Sequence, residues 1–89
     1  MDREAIKKLE NFLKKVKEKF NPKLIILFGS RARDDYLIDS DYDLLIVSEK
    51  FKGKNILKRM EELYELLDEP IEVDLIPLTP EEFEKRKKE

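Results

Sequence analysis

Lys23-Leu24-Ile25-Ile26-Leu27-Phe28-Gly29-Ser30, then ten residues, then Asp41-Tyr42-Asp43-Leu44-Leu45-Ile46-Val47 is the stretch on which the fold turns. Its first half reads as a short buried strand, 23–28, ended by Gly29. Ser30 can cap a brief helical turn through Arg31-Ala32-Arg33-Asp34, and a loop from Asp35 to Ser40 leads into a second strand, 41–47. Gly-Ser at a strand end can form a turn that offers backbone N–H groups to phosphate. Asp-x-Asp at a period of two puts Asp41 and Asp43 on one face of the second strand, spaced to share a divalent cation.

Outward from this centre, residues 2–20 carry Ile6, Leu9, Leu13, Val16 and Phe20 at three-and-four spacing, an amphipathic helix closed by Asn21-Pro22. Gly53 opens a second long helix, with Ile56, Leu57, Met60, Leu63, Tyr64 and Leu67 as its apolar stripe, broken at Asp68-Glu69-Pro70. Residues 71–76 read as a third strand. Thr79-Pro80-Glu81-Glu82 starts a polar C-terminal helix with a cap residue, a proline at the first helical position and a glutamate at the third. The helix between strands two and three is long enough for a crossover, so those strands are expected to be parallel neighbours. The shorter link between strands one and two allows an antiparallel return. The expected fold is α/β in the broad sense (α+β): one domain over 1–89, a small mixed three-stranded sheet with helices. A parallel third strand would set Asp74 beside Asp43, so that three carboxylates and a glycine turn meet at one edge of the sheet.

Composition narrows the chemistry. The 89 residues include 19 Lys+Arg against 21 Asp+Glu, a net charge of −2, which argues against a protein whose main task is gripping long nucleic acid. With no cysteine and no histidine, thiolate zinc sites, disulfides and the usual general base are all excluded. A metal site must use oxygen donors, which suit Mg²⁺, Mn²⁺ or Ca²⁺. No stretch resembles a signal peptide or approaches the length of a membrane span, so a cytoplasmic protein without a membrane partner is expected.

Each candidate also has a plainer reading. Asp41 and Asp43 could simply start a solvated strand, but a repelling pair in a run of Leu, Ile and Val asks for a cation between them. Asp74 could lie on an exposed strand face with Glu72; as a third metal ligand it also accounts for a place beside Asp43. Ser30 alone could be a helix cap and Gly29 alone a turn residue. Arg31 and Arg33 could neutralise triphosphate oxygens or be ordinary surface. Asp39-x-Asp41-x-Asp43 starts like a calcium-binding loop, but Leu44 and Lys50 stand where that loop needs Gly and Glu. A P-loop fails because Asp34 and Asp35 stand where Gly-Lys-Ser/Thr must follow its first glycine.

The residues Phe28-Gly29-Ser30-Arg31-Ala32-Arg33 through Asp39-Ser40-Asp41-Tyr42-Asp43-Leu44-Leu45 resemble the signature of the DNA polymerase β-like nucleotidyltransferases, in particular the minimal nucleotidyltransferase (MNT) branch. Asp34-Asp35 depart from that branch, which often has a glycine there. The resemblance implies a palm-like nucleotidyltransferase fold. It also implies two Mg²⁺ ions (Mn²⁺ as a substitute) held by Asp41, Asp43 and Asp74, and ATP or another nucleoside triphosphate whose phosphates lie against Gly29, Ser30 and the two arginines. It further implies an antitoxin role, with AMP passed to a tyrosine of a partner HEPN-type toxin. A non-catalytic antitoxin that works by complex formation, and a small-molecule nucleotidyltransferase, are the alternative readings. Homo- and hetero-oligomers both stay open. The sheet face of Asp43 also carries Leu45, Val47 and Ile76, either left partly exposed for association or covered by the last helix.

Overall fold

The structure, a computed structural model, describes residues 3–29, 42–71 and 73–88. Its elements are α1 (Arg3–Phe20), β1 (Leu24–Gly29), β2 (Tyr42–Val47), a 3₁₀ turn (Glu49–Phe51), α2 (Ile56–Tyr64), β3 (Val73–Leu78) and α3 (Pro80–Lys87). The sheet has the order β1-β2-β3, with β1 antiparallel and β3 parallel to the central β2. The fold is therefore α+β with a mixed three-stranded sheet, as the element lengths predict. The brief helix expected at 31–34 and the loop at 35–40 lie outside the described residues.

α1 buries Leu9, Phe12, Val16 and Phe20. The expected stripe included Ile6, which is instead exposed, and left out Phe12, which is buried. The helix ends at Asn21, whose φ of 42° is the left-handed conformation of a C-terminal cap and whose N–H donates to the Lys17 carbonyl (3.2 Å). Ser48 then ties three elements together. Its hydroxyl donates to the Phe20 carbonyl (2.6 Å) and accepts from the Lys50 N–H, while its own N–H donates to the Leu78 carbonyl. Phe20 and Phe51 stack beside this anchor with centroids 4.9 Å apart.

The core joins α1 to Leu44 and Ile46 of β2, Phe51, Leu63 of α2 and Leu75 of β3. The helices α1 and α2 thus cover the sheet face of Leu44 and Ile46. Leu45 and Val47, on the opposite face, are also buried and Ile76 is half-buried, so of the two alternatives for this face the covered one holds for Leu45 and Val47. Among the described residues, no helix is long and apolar enough to cross a membrane.

The boundaries of α2 and β3 differ from expectation, and β1 is shifted by one residue. α2 starts after Asn55, whose side chain accepts from the Lys58 N–H, while Gly53 sits before it in a turn at φ 76°. It ends at Tyr64 rather than at Leu67, because Leu66 and Leu67 bond three residues back to Leu63 and Tyr64, the tighter pattern of a closing helix. Within α2 the expected apolar stripe is only half right: Leu63 is buried, but Ile56, Leu57 and Tyr64 are exposed and Arg59 is buried in their place. β3 starts two residues later than expected, at Val73, and runs two residues further, to Leu78, through Pro77, which the outward side of the strand tolerates. The capping box of α3 forms as read: the Glu82 N–H donates to Thr79 Oγ1 (3.2 Å) and the Thr79 N–H to Glu82 Oε1 (2.8 Å).

Candidate nucleotidyl-transfer site

Asp43 is the second residue of β2, and its position follows from register. Its cross-strand partner on β1 is Phe28, and its partner on β3 is Asp74. Neighbouring strands lie about 4.8 Å apart, and residues in register share a face, so Asp43 and Asp74 form a pair of adjacent carboxylates on one side of the sheet. The parallel crossover through α2 is what brings Asp74 here, as its spacing predicts. Asp43 is buried at 7% exposure, whereas Asp74 is exposed. One carboxylate is therefore fixed in the sheet and the other faces solvent. Gly29 pairs with Tyr42, the residue before Asp43, so β1 ends at Gly29 beside this pair.

Asp41, Ser30, Arg31 and Arg33 lie outside the described residues. Among the described residues no three acidic side chains form a metal-binding group, which follows from the proposed third donor being Asp41. Two unit charges about 5 Å apart repel by roughly 1–3 kcal/mol, depending on the water between them. A pair of hard oxygen donors placed this way suits a hard divalent cation, and soft-metal chemistry has no ligand here because the chain lacks Cys and His. The donor set fits Mg²⁺.

Sequence reasoning passed over Phe28 as a site residue. It stands opposite Asp43 in register, so an apolar side chain shares the sheet face of the buried carboxylate on its β1 side. The only available signal was the alternation that places it two residues before Ser30. The exposed apolar flank of α2, read as core from its spacing, was also missed as surface.

The chain is similar to proteins described as nucleotidyltransferases and, in fold, to BolA proteins. Residues 9–89 match the family model described as nucleotidyltransferase domain. A Methanocaldococcus jannaschii protein named as a putative protein adenylyltransferase is 50% identical over 48 residues, which cover 54% of this chain and 47% of that protein. The chain thus spans about half the length of that relative. The crystal structure of a putative nucleotidyltransferase from Sulfolobus solfataricus superposes with a TM-score of 0.61 at 32% identity, over 91% of this chain and 75% of the other. BolA1 from Arabidopsis thaliana has a similar fold, with a TM-score of 0.60 at 23% identity, over 92% of this chain and 98% of the other; that likeness concerns the fold alone. The family match over nearly the whole chain, with Asp43 and Asp74 adjacent in register, makes this chain a member of the nucleotidyltransferase domain family.

Proposed function

We propose that this protein transfers a nucleoside monophosphate, AMP from ATP, to a tyrosine hydroxyl of a partner protein, and that it serves as the antitoxin to a HEPN-type toxin in the cytoplasm. The observation that carries the reading is the register of Asp43 against Asp74, two carboxylates on one sheet face beside the glycine corner of a nucleotidyltransferase domain. The name of the Methanocaldococcus relative supports protein as the acceptor class.

In this reading Asp41, Asp43 and Asp74 hold Mg²⁺, which supplies charge neutralisation for the triphosphate and a lowered pKa for the acceptor hydroxyl. The chain's own residues do the rest. Backbone N–H groups around Gly29 and the Ser30 hydroxyl bind the β- and γ-phosphates, as a turn of this kind can. Arg31 and Arg33 offset the negative charge that builds on the leaving pyrophosphate. Buried Asp43, held between β1 and β3, fixes the place of the α-phosphorus, so positioning and electrostatics supply most of the rate.

Co-expression with the product of the neighbouring gene, then incubation with Mg²⁺ and ATP and mass measurement of both chains, tests it. The partner should gain the mass of one AMP. Asp41→Asn combined with Asp43→Asn should abolish the gain, and undiminished transfer by that double variant would remove the assigned site. If the double variant still suppresses the toxin through complex formation, the antitoxin role stands without transfer.

A further inference from the structure

Both β1 and β3 are edge strands, and they are finished differently. β3 carries Pro77, which has no N–H to offer and whose carbonyl accepts from Arg59 Nη1 (3.2 Å), a common protection against unwanted strand pairing. β1 has no such device. Its run Leu24-Ile25-Ile26-Leu27-Phe28-Gly29 holds no charge and no proline, and among the described residues no strand pairs with its outer side. Leu24 is 36% and Leu27 43% exposed, so apolar surface accompanies the open backbone.

The flank of α1 beside this edge is complementary to itself. Leu9, Phe12, Val16 and Phe20 form the buried stripe, and Lys8, Lys15 and Lys19 lie on the side that pairs with Glu69, Asp68 and Glu65 at the far end of α2. The helical repeat therefore leaves Ile6, Glu10, Leu13 and Lys17 on the other flank, the one toward β1. Ile6 is 43% exposed, and Glu10 and Lys17 are exposed as well. Among the described residues, neither Glu10 nor Lys17 has an ion-pair partner. Turned end for end about the point between Leu13 and Lys14, this flank exchanges Glu10 with Lys17. Lys14 lies ~70° further round the helix, on its solvent side.

We infer that two copies of this chain associate through the outer edge of β1 and this flank of α1. Edge strands related by a two-fold axis perpendicular to the sheet run antiparallel, and α1 then stays on the same side of the sheet in both copies. The Ser48 hydroxyl on the Phe20 carbonyl sets the end of α1 level with the start of β1. With rises of ~1.5 Å per helical residue and ~3.3 Å per strand residue, the midpoint between Glu10 and Lys17 stands about level with Leu27. An axis there sets Leu27 against Leu27 of the second copy and Ile26 against Phe28, and it brings Glu10 of each copy to Lys17 of the other. A foreign strand would cover the β1 edge and leave the α1 flank bare; a second copy covers both. The sheet becomes continuous in the order β3-β2-β1-β1-β2-β3. Because Leu44 and Ile46 face α1, the Asp43–Asp74 pairs of both copies then lie on the same, opposite face of that sheet.

Sedimentation equilibrium of the intact chain over a range of concentrations tests this, with no ATP or Mg²⁺ needed. The mass should rise from one chain to two with a Kd on the order of micromolar, as suits a small interface. The β1 amides should exchange more slowly at high concentration than at low. Glu10→Lys and Lys17→Glu change exposed residues, and each sets like charges face to face at both ends of the contact. Each should weaken association about tenfold, and the two together should restore it, since the pairing returns with its signs exchanged. A chain that stays monomeric at its highest soluble concentration overturns the inference. A dimer indifferent to both single reversals places the contact on another face and overturns it too. Protection of β1 that appears only when the neighbouring gene product is added assigns the edge to that protein, with the same consequence.

Discussion

Arg59 is buried on the sheet side of α2, and its side chain bonds to other elements and turns. Nε donates to the Phe51 and Lys54 carbonyls (3.2 and 2.8 Å), and Nη1 to the Pro77 carbonyl (3.2 Å) and to Glu82 Oε1 (2.7 Å). One guanidinium thereby fastens the 3₁₀ turn, the edge strand and α3 to α2. Replacing it with methionine keeps much of the volume but removes the donor shared by the Phe51, Lys54 and Pro77 carbonyls and the partner of the Glu82 carboxylate, so Arg59→Met should destabilise the fold by about 2–4 kcal/mol in urea unfolding. Arg59→Lys should recover little, because an ammonium cannot reach carbonyls in several directions as the planar fork does. Nothing in the sequence marks this residue. Its spacing puts it next to apolar positions on a helix, where a surface cation is the ordinary expectation. Asp43 was legible for the opposite reason: an aspartate within a Leu-Ile-Val strand is locally costly, and a local cost asks for a local explanation.

At the scale of elements, local signals held and tertiary ones did not. The capping box of α3 is written in four consecutive residues and formed as read. α2 starts at a local cap other than the one expected, Asn55, while the far end of β3 depends on Ser48 and Arg59, partners distant in sequence. α3 also carries a pH dependence. The Glu82 carboxyl is held below the usual glutamate range, first by the hydrogen bond from Arg59 and then by the Thr79 N–H. A lowered folded-state pKa means that the contribution is fully present above the unfolded-state value and is lost as pH falls through the folded one. The effect is modest, since the Glu82 side chain is 46% exposed and solvent screens it. Between about pH 6 and pH 3, thermal stability should fall more steeply for the native chain than for Glu82→Gln, whose profile lacks this component. Equal slopes for the two would show that the α3 contact contributes nothing through its charge.

For the molecule as a whole, strand order and direction were legible because link length decides them: a short return gives the antiparallel pair, and a helical crossover gives the parallel one. Which sheet face stays open was not, since Leu45 and Val47 are buried outside the main core, and no periodicity in β2 separates the two faces. The parallel crossover has an energetic consequence. It places two acidic residues side by side in register in a small protein, where a divalent cation would bridge them. Stability and ligand binding are then linked. At Mg·ATP concentrations about a hundredfold above Kd, binding should add ~2.7 kcal/mol to the folded state. In a domain of this size each kcal/mol moves Tm by about 4–8 °C, so the shift should be on the order of 10–20 °C. EDTA should remove it, and ATP without a divalent cation should not restore it. Asp41→Asn with Asp43→Asn should show the converse, a ligand-free Tm equal to or above that of the native chain and no response to Mg·ATP. A double variant that is still stabilised by Mg·ATP to the same extent would place the nucleotide somewhere other than beside β2 and β3.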